Sequence, residues 1–280
     1  MLISNEGGRL MKPMYFPENI NWLVCSDFDE TFFAHDLSNA EDVKELDDYI
    51  ALHAKDSNIL FGIVSASTIE MIKHCLDIGH FNYYPHFISS NSGTELRYYI
   101  DGKEIYDKDY EQELLKRGFS KTTILDVETQ LKSEGIPLKI QEPFINAPFS
   151  RNYYYKESIP EVDAANFERI RQLASENHLV VNISKCNPLI GDPADHYDVD
   201  FFPDSAGKGA IVKYLIRKFK VPAAQTIAFG DSGNDIKMLN AVKHGYLVSN
   251  ATPEAKKLYP HVAEHTYSKG ILTMLTHIIK

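Results

Sequence analysis

Four short runs constrain the fold more than anything else in this chain: Trp22-Leu23-Val24-Cys25, Ile59-Leu60-Phe61-Gly62-Ile63-Val64, Thr226-Ile227-Ala228-Phe229 and Tyr246-Leu247-Val248. None of them alternates apolar with polar residues. A strand that alternates keeps one face in water, whereas a strand without alternation is buried on both, as in a parallel sheet between helical layers. Helical patterns lie between the runs. Val43, Leu46 and Ile50 share one helix face, with Glu41, Asp42, Glu45, Asp47 and Asp48 on the others. Ile69, Ile72 and Leu76 mark a second helix, for which Ser67 and Glu70 read as a capping box. Later helices carry Ile211, Val212, Leu215 and Ile216, then Met238, Leu239 and Val242. Strand and helix in alternation predict an α/β protein with a Rossmann-like doubly wound parallel sheet.

The middle of the chain has a different texture. From about Leu96 to Val199, helical patterns (Ile124, Val127, Leu131; then Val162, Ile170, Leu173) interleave with strand patterns at Leu138–Gln141, Asn152–Tyr155 and Leu179–Ile183. The economical reading is one α/β core, residues 1–95 and 200–280, interrupted by an α+β domain over 96–199. A length of 280 residues accommodates both.

Charge and cysteine usage narrow the function classes. Asp and Glu number 39 against 29 Lys and Arg, a net charge of −10. Such a surface repels nucleic-acid backbones and anionic membranes, and it would repel a small anionic substrate too unless a bound cation or a local lysine reversed the sign. The longest apolar run, Ile59 to Ala66, is far short of the roughly 18–20 residues that span a bilayer. The stretch from Met1 to Pro17 carries Glu6, Arg9 and Lys12 and no apolar segment with a small-residue cleavage site, so it does not read as a secretory signal. Cys25, Cys75 and Cys186 are far apart and form no Cys-x-x-Cys pair, which argues against a disulfide framework or structural zinc. The expectation is a soluble, cytoplasmic protein, monomeric or a small homo-oligomer, with no nucleic-acid or membrane partner.

The chemistry sits where strands end. Asp27-Phe28-Asp29-Glu30-Thr31 follows the first buried run, and an extended backbone projects Asp27 and Asp29 the same way, roughly 6–7 Å apart at Cα. Ligands in open α/β sheets bind at such carboxyl edges. Two carboxylates that close hold one proton between them unless a cation intervenes, so one could be a nucleophile and the other an acid/base. The plainer alternative is a polar exit in which Asp29 or Thr31 caps a turn. Gly230-Asp231-Ser232-Gly233-Asn234-Asp235 also follows a buried run and precedes a helix; it is either a capped turn or a second acidic strand end. An EF-hand fits poorly, because its twelfth position would be Val242. If both strand ends meet, their oxygens suit a hard ion such as Mg²⁺. Lys208 lies in Ser205-Ala206-Gly207-Lys208-Gly209, but a nucleotide P-loop fails at Phe202 and Gly209. Ser65 ends the second run, where a hydroxyl beside helix N-terminal amides is a natural phosphate contact.

Taken in order, Asp27/Asp29/Thr31, Ser65, Lys208 and Asp231/Asn234/Asp235 resemble the four motifs of the haloacid dehalogenase superfamily of phosphohydrolases, and the resemblance runs from Trp22 to the C-terminus. The insert is similar to the α+β cap of the branch holding the Cof-type sugar phosphatases and sucrose-phosphate phosphatase. The resemblance implies an Asp27 nucleophile, Asp29 as acid/base, and Mg²⁺ held by Asp27, the Asp29 carbonyl and Asp231. It further implies phosphate binding by Ser65 and Lys208, with Thr31, Asn234 and Asp235 in support. A cap of this kind selects a small-molecule sugar phosphate, and Arg151, Asn152, Lys185, Asn187 and Asp198 are its candidate contacts. Pro85-His86-Phe87-Ile88, Gly93-Thr94-Glu95, Cys186-Asn187-Pro188-Leu189, Gly191-Asp192-Pro193, Tyr197-Asp198-Val199-Asp200-Phe201 and Tyr267-Ser268-Lys269-Gly270-Ile271 resemble a bacillal amino-sugar branch. That likeness implies 3-amino-3-deoxyglucose (kanosamine) 6-phosphate as substrate, in amino-sugar antibiotic biosynthesis. Another hexose or sucrose phosphate, a phosphomutase, or a non-catalytic sensor are the alternatives. Many cap-bearing relatives carry Thr-Gly-Arg where this chain has Ser65-Ala66-Ser67, so the arginine's contacts are not carried over.

Overall fold

In the computed structural model, residues 11–79, 81–116, 119–188 and 191–279 are described. The sequence readings at Glu6, Arg9 and Leu189 lie outside them. The chain separates into two units: one takes in the chain up to Lys108 and again from Lys208, and the other is Asp109–Gly207.

The first unit begins with β1 (Lys12–Pro13), β2 (Trp22–Ser26), α1 (Ala40–Asp56), β3 (Ile59–Val64), α2 (Ile69–Ile78), β4 (Tyr83–Tyr84), β5 (Phe87–Ser90), β6 (Glu95–Ile100) and β7 (Lys103–Tyr106). The inserted unit holds α4 (Lys121–Ser133), β8 (Lys139–Ile140), β9 (Arg151–Lys156), α5 (Pro160–Glu176), β10 (Leu179–Lys185) and β11 (His196–Pro203), with α3 (Lys108–Leu115) leading into it. The first unit resumes with α6 (Lys208–Phe219), β12 (Thr226–Gly230), α7 (Ile236–Leu239), β13 (His244–Leu247), α8 (Pro253–Leu258) and α9 (Tyr267–Ile278).

Among the described residues the large sheet runs β13-β12-β2-β3-β5-β6-β7. The pairings from β13 through β5 are parallel, and β6 and β7 are antiparallel. The apolar runs of β2, β3 and β12 are explained by burial on both faces, whereas β13 at the sheet edge alternates, with His244 and Tyr246 half-buried. Val24, Phe61, Ile63, Ile88, Ile227 and Phe229 join one cluster with Val43, Leu46 and Ile50 of α1, Ile72 and Leu76 of α2, and Ile271 and Leu275 of α9. Their neighbours Leu23, Cys25, Leu60, Val64, Phe87 and Ala228 are also fully buried and point to the opposite face. The fold is the expected α/β class with a parallel-sheet core.

The unit boundaries differ from the sequence reading at both ends. The division expected at 95/96 falls at 108/109, because Leu96 lies in a hairpin that extends the core sheet antiparallel to β5. Its turn is Asp101-Gly102, with φ of 51° and 73°, the left-handed pair that suits a two-residue hairpin. The division expected at 199/200 falls at 207/208, because β11 carries the inserted sheet through Pro203. The inserted sheet runs β10-β11-β9-β8, antiparallel throughout. Tyr153, Tyr155, Val199 and Phe201 on one face pack on Ile124, Val127 and Leu131 of α4 and Ile170 and Leu173 of α5. Val162, expected on that face, is 41% exposed; in the first turn of α5 it is Asp163 that turns inward, accepting the Tyr155 hydroxyl at 2.7 Å.

Candidate active site

Two adjacent strand ends supply the carboxylates. Beyond the end of β2, the Asp27 N–H donates to the Phe229 carbonyl of β12 at 2.9 Å, which ties Asp27 to the carboxyl edge. Its Oδ1 accepts the Phe28 N–H at 2.8 Å and pairs with Lys208 Nζ at 2.7 Å. Lys208 also meets Asp235 Oδ1 at 2.7 Å, and both partners are buried. The other Asp235 oxygen accepts the N–H groups of Asp231 and Ser232, at 3.0 and 3.1 Å, and the Ser232 hydroxyl at 3.3 Å. Asp235 is thus the knot of its own loop. Asn234 adds to it, its Oδ1 accepting the Ser232 hydroxyl at 3.0 Å. Thr31 Oγ1 donates to Asp231 Oδ1 at 3.0 Å and joins the two motifs across 200 residues.

Two glycines make this approach possible. A Cβ on Gly230 would lie 2.4 Å from Asp235 Cβ, and one on Gly209 would lie 2.7 Å from the Lys237 carbonyl oxygen. The first lets Asp235 fold back over β12, and the second lets α6 pack on the backbone of α7 and deliver Lys208. Gly230→Ala should therefore displace Asp235, costing about 1–3 kcal/mol of stability and lowering kcat by about tenfold or more. Thermal melts and steady-state rates check both; an unchanged variant would show that Asp235 is not held there.

The charge balance favours a cation. Carboxylate oxygens of Asp27, Asp231 and Asp235 lie within 4.8 Å of one another, all three residues are buried, and one lysine faces them. Burial, then Asp235, push Asp27 well above the usual carboxylate range; Lys208 pulls it back, and Asp231 and Asp29 push again. Burial, then Asp235, raise Asp231 to about 7. Burial disfavours the Lys208 ammonium, but Asp235 and Asp27 reverse the balance and raise its pKa. Asp235 spends its oxygens on Lys208 and the loop. Asp27 Oδ2 and Asp231 Oδ2 accept no hydrogen bond among the described residues. Two converging buried carboxylates with an oxygen apiece to spare fit a hard divalent ion.

Asp29 is held differently. Its Oδ1 meets His35 Nε2 at 2.8 Å, and its Oδ2 accepts the Ser65 hydroxyl at 3.0 Å and the Ser67 hydroxyl at 2.8 Å. Burial works against its charge, yet His35, then Ser67 and Ser65, keep its pKa below the usual range. Ser65, expected to contact phosphate, here donates to Asp29 and accepts the Ser67 N–H at 3.0 Å. The capping box expected at Ser67 is not formed. Thr68 is the N-cap, its Oγ1 accepting the Met71 N–H, because the helix starts one residue later and frees Ser67 to reach Asp29. His35 carried no signal in the sequence; the chain folds back through a bridge between Asp29 and Phe33 and brings the ring round.

In the inserted unit, register separates the candidate contacts. Asn152 pairs with Asp200 and Tyr154 with Asp198, so Asn152 and Asp198 share the face away from α4 and α5. Arg151, opposite Phe201, and Lys185, opposite Tyr197, belong to the other face. Lys185 Nζ is paired with Glu157 at 2.7 Å and lies over the Tyr197 ring. Asn187 follows β10 beside Cys186. No helix of the described residues is long and apolar enough to cross a membrane.

Comparison with known proteins defines the class first. The fold superposes on a haloacid dehalogenase-like hydrolase protein from Bacillus subtilis with a TM-score of 0.76 and 37% identity, over 96% of this chain and 95% of that one. It also superposes on the sucrose-phosphatase of Synechocystis sp. PCC6803, solved with sucrose and phosphate, at TM-score 0.72 and 20% identity, over 92% and 98% of the two chains. A curated relative, the kanosamine-6-phosphate phosphatase of Bacillus subtilis (strain 168), is 39% identical over all of this chain and 99% of its own length. The model of the sucrose-6F-phosphate phosphohydrolase family matches residues 20–278, and the chain belongs to that family of haloacid dehalogenase-type phosphatases.

Proposed function

We propose that this chain is a Mg²⁺-dependent sugar-phosphate phosphatase working through an aspartyl-phosphate, with 3-amino-3-deoxyglucose 6-phosphate as its substrate. The observation that carries the reading is the buried Asp27–Lys208–Asp235 chain of contacts beside Asp231 at two neighbouring strand ends. The 39% identical relative of matching length bears the name of the amino-sugar phosphate and supports the choice of substrate.

The proposed chemistry follows from the oxygens left free. The Asp27 carboxylate attacks phosphorus while the proton held between His35 and Asp29 passes through Asp29 to the departing sugar oxygen, and the P–O bond to the sugar breaks. Asp29 then takes a proton from the water that attacks the phosphoryl group and releases phosphate with Asp27 regenerated. Lys208, pinned between Asp27 and Asp235, supplies fixed positive charge beside the transferring group, and Ser65 can turn from Asp29 to a phosphoryl oxygen. Asp27, Asp231 and the Asp29 carbonyl would hold the Mg²⁺, whose chemistry is to neutralise charge on the phosphoryl oxygens. His35 and Ser67 would orient Asp29 for both proton transfers.

That positioning role has its own signature. His35→Ala should lower kcat by about tenfold with KM within about twofold, and His35→Asn, which keeps a donor, should recover part of the loss. Equal losses in both variants, or a loss confined to KM, would remove His35 from the machinery. The reading as a whole is tested by a panel of sugar phosphates assayed for phosphate release. The amino-sugar 6-phosphate should have the highest kcat/KM; a non-amino hexose phosphate or sucrose phosphate in first place would reassign the substrate, and isomer formation without phosphate release would make the protein a mutase.

A further inference from the structure

The sheet face of the inserted unit that α4 and α5 leave uncovered carries an acidic cluster without a cation. Carboxylate oxygens of Asp192 and Asp198 and the Cys186 sulfur lie within 4.8 Å of one another. Asp200, two residues along β11 from Asp198, points to the same face. It is 7% exposed, and its Oδ1 is buried without a hydrogen-bond partner. Asn152, its cross-strand partner, is 3% exposed, and its Oδ1 is likewise buried and unpartnered. Burial first, then the charge of Asp198, push Asp200 well above the carboxylate range, with Asp192 adding to the push. Uncharged donors already reach the cluster: Tyr154 OH to Asp192 Oδ1 at 2.7 Å, and Gln141 Nε2 to Asp198 Oδ1 at 2.8 Å. Among the described residues, no Lys, Arg or His forms an ion pair with Asp192, Asp198 or Asp200.

Chemistry selects the kind of cation. Structural zinc takes four Cys or His ligands, and this cluster offers one sulfur and no imidazole. A hard ion such as Mg²⁺ takes oxygen ligands, and here the Cys186 sulfur stands within the cluster. A primary ammonium brings three N–H donors and one positive charge, matching carboxylates and orphaned acceptors. We propose that Asp192, Asp198 and Asp200 form a binding site for a primary ammonium group, the amine of an amino-sugar phosphate. The inference rests on the sugar-phosphate reading and sharpens it: these acids separate an amino sugar from its hydroxyl counterpart.

The experiment uses the full chain and two readouts. Isosteric Asp198→Asn and Asp192→Asn variants, with melting temperatures recorded, are compared with wild type on 3-amino-3-deoxyglucose 6-phosphate and on glucose 6-phosphate. Each should lose about tenfold or more in kcat/KM on the amino sugar and clearly less on glucose 6-phosphate, so that the preference for the amine over the hydroxyl falls. Calorimetric titration with the phosphate-free amine, 3-amino-3-deoxyglucose, should give heat with wild type, weaker heat with either variant, and none with glucose. Equal losses on both substrates, or no binding of the free amine, overturns the ammonium site. So does Mg²⁺ or Zn²⁺ binding that both variants abolish while amine discrimination persists. Binding of the free amine without hydrolysis of either phosphate leaves the site standing and sinks the phosphatase reading instead.

Discussion

Asp27→Asn should abolish turnover, by about 10⁴-fold or more, and leave the fold intact. The amide keeps an oxygen that can accept the Phe28 N–H and face Lys208, so the local hydrogen bonds survive. It loses only a negative charge that burial and Asp235 already disfavour. Melting temperature should therefore be at or above that of wild type, while phosphate release falls to background. A variant that unfolds would mean the Lys208 contact needs the full charge; a folded variant with substantial activity would end the nucleophile assignment.

Removal of divalent metal is the second large effect. Protein stripped with EDTA should release no phosphate, and Mg²⁺ should restore the rate. Because the buried carboxylates repel one another, the ion should also stabilise the fold, by about 2.7 kcal/mol at a hundred times its Kd. Asp231→Asn should blunt both effects, since it removes one of the two carboxylates with an oxygen to spare. Full activity in EDTA would defeat the metal proposal whatever the melts show.

How much of this could be read from the residues depends on how local each signal is. The core strands were legible because burial on both faces leaves its mark on every residue, as at Ile59–Val64. The Asp27 and Asp231 strand ends were legible for the same reason: acids directly after such runs have few structural reasons to be there. Parity was harder. Arg151, Asn152 and the tyrosines 153–155 fit either face of a strand, and only pairing with β11 decides that Asn152 looks away from the helices. From Leu96 the hairpin strands read as part of the insert because they are mixed in pattern, although Asp101-Gly102 marks the turn. Ser67 and Thr68 cap equally well on paper, and a shift of one residue decides between them. His35 needed the chain to double back, which no periodicity reports. The acidic cluster of the inserted sheet needed Asp192, from outside the strands, to close on β11.

The covalent step tests the account most directly. Enzyme acid-quenched during turnover of the amino-sugar phosphate, reduced with borohydride and digested should show Asp27 converted to homoserine in its peptide, because an acyl phosphate is reduced where a free carboxylate is not. Mass spectrometry of that peptide should find the conversion only when substrate and Mg²⁺ are both present. Conversion at another carboxylate, or none at all while phosphate is being released, would contradict an Asp27 phosphoryl-enzyme.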